Sequence, residues 1–286
     1  MIDALRSLLF LGFLVTNTFS DTLVAQQPTA LATVPLRSDG LLVSIAGKIH
    51  DRTINLDLDS GGLWYTIIDT AVVKELRLPA NGTGRVGGTG KGTVPFVRLA
   101  PLSIAFGSTV YRPPAPISLD YTQIGRPTHQ DGLLGFDFFW NFVIAVNYDH
   151  RTVTLYDPRS YVYTGAGAKI PLIIRSPRAF VRVRLAVPGV PVKERTLRLD
   201  SGSEDAVDDD IFLRSTAPKK LVRSGRGLGT EFQAYSGAIS ALTLGPYTLR
   251  DLPAVSGGVP LVGSAVLHKF NVIYDFRHAA MYLEPR

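Results

Sequence analysis

The sequence of 286 residues contains no cysteine. That excludes disulfides, thiol nucleophiles, Cys-ligated zinc, iron–sulfur clusters and an acylated lipoprotein cysteine. Histidine is scarce: His50, His129, His150, His268 and His278 are the full set. None stands in H-E-x-x-H spacing, and no G-x-S-x-G elbow occurs, so zinc-peptidase and serine-hydrolase chemistry lack their parts. Long apolar runs are also missing. The run Leu8 to Val15 is far shorter than the ~20 residues a spanning helix needs, so a chain that does not span a membrane is expected. The net charge is +6, but the bases are scattered. Their densest group, Lys219, Lys220, Arg223 and Arg226, carries no interleaved aromatics, so no nucleic-acid partner is expected.

What is present points to a packed β protein. Hydrophobic residues make up 45% of the chain, enough for a real core. Glycine (27) and proline (19) together exceed ordinary usage, as tight turns between strands require. At the N-terminus, Arg6 precedes the apolar run, and polar residues follow from Thr16 to Thr22. This reads as a secretory signal peptide over residues 1–25, with cleavage after Ala25 and, as the alternative, after Ser20. Export to the periplasm or the extracellular space is the expectation. A disulfide-free exported protein must then hold itself together by packing.

The remaining chain is written twice. Thr53-Ile54-Asn55-Leu56-Asp57-Leu58-Asp59-Ser60-Gly61 matches Arg195-Thr196-Leu197-Arg198-Leu199-Asp200-Ser201-Gly202, with the final aspartates 141 positions apart. Both alternate apolar and polar residues, the period of a strand with one buried face. Val34-Pro35-Leu36 corresponds to Ile170-Pro171-Leu172, each leading into a hairpin. The expected strands are Leu41 to Ile49 with Thr53 to Leu58, and Phe180 to Val187 with Val192 to Leu199. Short helices are expected from Asp69 and from Asp210. Leu133-Leu134-Gly135 matches Leu261-Val262-Gly263, and the segments from Phe142 and from Phe270 match as strands. Two related lobes follow, residues 26–160 and 161–286, joined near Tyr161 to Ala168.

A strand ending in Asp-Ser-Gly places a carboxylate at the edge of the core. Serine bonds locally, and glycine lets another backbone approach. Two such segments related by pseudo-twofold symmetry would pair Asp59 with Asp200. Two carboxyl groups in contact share one proton. The ionised member can take a proton from water while the protonated member polarises a carbonyl, which is general acid–base hydrolysis.

With both Asp-Ser-Gly segments and both apolar-apolar-Gly triplets, the chain resembles the pepsin–retropepsin superfamily of aspartic peptidases. The likeness is to the bacterial secreted, two-lobed, disulfide-free branch and covers residues 34 to 286. The resemblance implies an all-β bilobal fold with short helices, and an endopeptidase whose Asp59 and Asp200 activate one water. It further implies that Ser60, Gly61, Ser201 and Gly202 support the two loops, and that the triplets thread beneath them. The implied partner is a peptide or unfolded protein. No cofactor or metal is implied, and a monomer is expected. The chain departs from the family in having Ser rather than the commoner Thr after each aspartate, and no flap tyrosine is identified. The glycine-rich stretch from Gly82 to Gly92, with Gly87, Gly88 and Gly90 as substrate-binding candidates, is the expected flap; Gly225 to Gly229 is its counterpart. Alanine at Asp59 or Asp200 is expected to remove activity and leave the fold intact.

Other signals are weaker. Gly82 to Gly87 spells G-x-G-x-x-G, but no strand is expected before it and no helix after it, so it does not read as a nucleotide site. The acidic run Glu204, Asp205, Asp208, Asp209 and Asp210 lacks the spacing of a calcium loop and reads as a solvated turn leading into a helix. Glu204 and Asp205 could favour a basic substrate side chain. Trp64 and Trp140 read as core residues. The alternative function is a non-catalytic exported peptide-binding protein that keeps the cleft; a secreted carbohydrate-binding module leaves the repeated Asp-Ser-Gly unexplained.

Overall fold

The computed structural model describes residues 28–87, 90, 92–121, 130–224 and 231–286. The expected signal peptide over residues 1–25, Gly88, His129 and the Gly225 to Gly229 stretch lie outside the described residues. Within them the chain is mostly β-strand with a few short helices. No helix among the described residues is long and apolar enough to cross a membrane.

The hairpin strands form where alternation is cleanest. Leu42–Ile49 buries Val43, Ile45 and Ile49 and leaves the intervening side chains more open. It turns through His50 and pairs antiparallel with Arg52–Leu58, from Ile49↔Arg52 to Ser44↔Asp57. The second copy pairs Ala179–Val187 with Val190–Asp200, including Phe180↔Arg198. Its turn uses Gly189 at φ +73°, a conformation that side chains resist. All four strands lie within two residues of where the periodicity puts them.

The two triplets occupy equivalent places. Gly132–Leu134 runs parallel to Arg52–Leu58, pairing Leu133↔Asp57 and Leu134↔Leu58. Leu261–Gly263 runs parallel to Val190–Asp200, pairing Val262↔Leu199 and Gly263↔Asp200. A six-stranded antiparallel sheet joins the two halves of the sequence. Its order is Ala30–Asp39, Thr152–Tyr156, Val143–Asn147, Phe270–Asp275, Ala280–Pro285 and Ala168–Ile174. The matched strands meet at its centre, with Ala145 opposite Ile273. One apolar cluster runs through both halves. It includes Phe136, Phe138 and Phe139 from the first and Tyr274 and Phe276 from the second, with Trp64 and Trp140 packed against it. No strand occurs between Tyr156 and Ala168.

Two sequence expectations need correction. The first helix, Thr70–Glu75, is capped by Asp69, whose Oδ1 accepts from Ala71 N at 2.7 Å. Its counterpart begins at the exposed Asp210 as expected, but it is a 3-10 turn, Asp210–Arg214, and its cap is the buried Asp209. Asp209 is 1% exposed, held by Arg195 through bonds of 2.7 and 3.0 Å, and Asp208 is buried too. The acidic run is therefore half internal. The glycine stretch also differs: Gly82 and Gly84 lie inside the strand Ala80–Val86, which pairs with Val94–Leu99. Gly84 is needed there because a methyl group would lie 2.4 Å from the Phe96 ring.

Asp137 follows the first triplet in the helix Phe136–Asn141 and is fully buried. Thr66 and Tyr111 hydroxyls each donate to its Oδ2 at 2.8 Å. Burial pushes its carboxyl up from 3.8 to about 6, and burial with neighbouring acids pushes Asp208 up to about 7. A raised folded-state value means the folded chain holds the proton more tightly than the unfolded one. The stability this gives is complete below about pH 4 and is lost as the pH climbs through about 6 for Asp137 and about 7 for Asp208. For Asp137 the loss is roughly 3 kcal/mol. Urea unfolding at pH 4.5 and 7.5 should show a smaller drop for Asp137→Asn than for wild type. Equal drops would remove Asp137 from the account.

Candidate functional site

The strand Arg52–Leu58 delivers Asp59 to its end, and the ladder continues through Asp59 N, which donates to Leu134 O at 3.0 Å. The chain then turns, with Gly62 N on Asp59 O at 3.0 Å. The second copy turns in the same way, with Ser203 N on Asp200 O at 3.3 Å. Each triplet supports its own turn. Phe136 N donates to Leu63 O at 2.8 Å, and Ser264 N donates to Ser203 O at 2.8 Å. A methyl group on Gly135 would lie 2.5 Å from the Leu63 and Tyr65 carbonyl oxygens; on Gly263 it would lie 2.3 Å from Asp205 O. Both triplets end in glycine because backbone passes directly against backbone there.

The two Asp-Ser-Gly turns face each other through a reciprocal set of hydrogen bonds. Ser60 N donates to Ser201 Oγ and Ser201 N donates to Ser60 Oγ, both at 2.9 Å. The Ser60 hydroxyl donates to Leu199 O at 3.1 Å, and the Ser201 hydroxyl donates to Leu58 O at 2.8 Å. The glycines then let each carboxyl cross over. A methyl group on Gly61 would lie 2.2–2.5 Å from the atoms of the Asp200 carboxyl. One on Gly202 would lie 2.4–2.7 Å from those of Asp59. All six residues singled out by the repeat, Asp59, Ser60, Gly61, Asp200, Ser201 and Gly202, thus meet in one place.

Two arginines that the sequence reading passed over also stand here. Arg198, 6% exposed, donates from Nη2 to Asp200 Oδ2 at 2.5 Å, while Gly202 N donates to Asp200 Oδ1 at 3.2 Å. Arg178 leaves the turn before Ala179–Val187 and donates from Nη1 to Gly62 O at 3.0 Å. Burial first, then repulsion from Arg198, draws its guanidinium value down, against the pull of Asp59 and Asp200. The signal for Arg198 was present in the repeat: the offset of 141 sets it opposite Asp57. Asp57 is itself buried and accepts from Gln130 Nε2 at 2.8 Å.

The other candidates are less central. Asp205 is partly buried; burial first, then Asp200 and Glu204, pushes its carboxyl up. Glu204 is exposed and turns toward the first hairpin, accepting from Leu41 N at 3.4 Å. The turn end of the glycine hairpin is pinned by Arg85, which donates to Thr93 Oγ1 at 2.9 Å and Thr93 O at 2.7 Å. A methyl group on Gly87 would meet Gly92 O and Thr93 of the same hairpin. Val86 and Phe96 from this hairpin pack in a second apolar cluster with Ile67, Ile117 and Leu133. Leu133 is the register partner of Asp57, so the turn end of the hairpin packs beside the strand that carries Asp59. Among the described residues, no group of three or more histidine, aspartate or glutamate side chains could hold a metal ion. No protein-family model and no curated protein matches the chain.

Proposed function

We propose that this chain is an aspartic endopeptidase of the pepsin–retropepsin type, with lobes over residues 26–160 and 161–286. The observation that carries the reading is the reciprocal Ser60–Ser201 brace, which sets two carboxyl-bearing loops against each other. Each carboxyl sits against the glycine of the opposite loop. In the reaction, the ionised carboxyl takes a proton from a water held between Asp59 and Asp200. The oxygen of that water attacks the peptide carbonyl, and the other carboxyl gives its proton to the carbonyl oxygen. The tetrahedral intermediate collapses as the carboxyl that took the water proton gives it to the amide nitrogen, a hydroxyl of the intermediate returns a proton to the other carboxyl, and the C–N bond breaks. The hairpin of Ala80–Val86 and Val94–Leu99, with Gly87 and Gly90 at its tip, is the proposed flap; the packing of Val86 and Phe96 with Leu133 supports its nearness to the site.

One observation favours a second reading, a peptide-binding protein without hydrolysis: Arg198 engages Asp200 Oδ2. Incubation with an unfolded protein from pH 3 to 8, with and without a statine-type transition-state analogue, separates the two. Wild type should give fragments, the analogue should stop them, and Asp59→Asn should give none. Peptide binding without cleavage at every pH supports the second reading instead.

A further inference from the structure

We infer that Arg198 is a positioning residue that makes the two carboxyl groups unequal, keeping Asp200 as the ionised base and leaving the shared proton with Asp59. The inference rests on the peptidase reading and goes further, because the repeat alone makes the two aspartates equivalent.

The asymmetry is built at matching positions. Two residues before each aspartate, on the strand that delivers it, stands Asp57 in one half and Arg198 in the other. Residues i and i+2 on a strand share a face. The first carboxyl therefore follows an acidic side chain and the second follows a cationic one. Both side chains are buried, at 2% and 6% exposure, so solvent does little to screen them. A guanidinium 2.5 Å from a carboxylate favours the charged form of that carboxylate. Asp57, at the matching position, accepts from Gln130 Nε2 at 2.8 Å.

The charged groups around Arg198 come from several elements. Its own strand contributes Asp200. The turn before Ala179–Val187 contributes Arg178, a second cation, which pulls on Asp59 first and Asp200 second and so opposes the preference set by the Arg198 contact. The loop after Asp200 contributes Asp205 and the exposed Glu204. Arg198 pairs with Leu261 in the parallel ladder, and Leu261 pairs on its other side with Asp208. Asp208 therefore stands two strands away on the same face. From the first half comes Asp59. Of these, Asp200 has the direct contact. Nε of Arg198 is buried without an acceptor, so the guanidinium stays committed through Nη2.

The test uses the full chain and two variants. Arg198→Met removes the charge at similar length, and Arg198→Lys keeps it. Two quantities are measured from pH 2.5 to 8: kcat/KM for a peptide substrate, and the 13C titration of the Asp200 carboxyl. In Arg198→Met the acid limb of kcat/KM should move up by at least one pH unit, with the Asp200 titration moving by a like amount. Arg198→Lys should restore most of both. A lower rate in Arg198→Met with an unmoved acid limb and an unmoved titration would show a merely structural arginine and overturn the inference. If Arg198→Met does not fold, a titration of Asp200 in Arg198→Lys at or above that of Asp59 overturns it equally. A wild type that cleaves nothing at any pH removes the peptidase reading, while the titrations still decide whether Arg198 separates the two carboxyl groups.

Discussion

Asp200→Ala should abolish peptide hydrolysis and also weaken the fold, and Asp59→Ala should abolish hydrolysis. The sequence alone expects both variants to fold as wild type. At Asp200 the cost comes from Arg198. Its side chain is 7% exposed, and the Asp200 carboxylate is its charged partner. Truncating one member of a buried ion pair strands the other charge and typically costs about 3–5 kcal/mol. Replacing both members with apolar groups is often close to neutral, so Asp200→Ala/Arg198→Met should recover much of the loss. Urea unfolding of wild type, the two alanine variants and the double variant forms the cycle. Both alanine variants should lose activity by at least about a thousandfold. An Asp200→Ala variant as stable as wild type would mean that the ion pair contributes nothing.

The Ser60→Ala/Ser201→Ala double variant should lose about 4 kcal/mol, near 2 kcal/mol for each buried hydroxyl. Each hydroxyl accepts from a backbone N–H and donates to a backbone carbonyl of the opposite loop. Alanine leaves both of those groups buried and unpaired. The four bonds are shared out two to each serine, so the single variants should add. Against a typical domain stability of about 5–15 kcal/mol, the double variant comes close to unfolding. Activity should fall even where the fold survives, because the brace fixes the separation of the two carboxyl groups. A double variant within about 1 kcal/mol of wild type would mean that water replaces the hydroxyls.

Much of this arrangement is legible in the sequence because alternation and repetition are strong signals. The strands around Ile45 and Val183 have one covered face, so period two reads them directly. The repeat then brings Asp59 and Asp200 into correspondence without any knowledge of distance. Arg198 is another matter. Between Leu197 and Leu199 it reads as an outward polar residue, because periodicity does not tell whether the second face of a strand is covered. The same limit hides Asp57. Asp208 and Asp209 sit in a run of five acids over seven residues, a composition that reads as surface until Arg195 is seen pairing with Asp209. Gly82 and Gly84 read as turn residues, yet the strand there accommodates the Phe96 ring over a bare backbone. Arg178 is beyond sequence reading altogether, since its partner, Gly62 O, lies 116 positions away in the other half.

The opposed pair Asp57 and Arg198 has a consequence for how such a site can be encoded. A site made by two copies of one half-length chain, related by an exact twofold axis, must carry the same residue on both sides. Any charge placed next to one aspartate is then placed next to the other, and the proton has no preferred home. Fusing the halves into one gene frees each position to change alone. In this chain an offset of 141 residues keeps Asp-Ser-Gly in both halves yet sets aspartate against arginine two positions earlier.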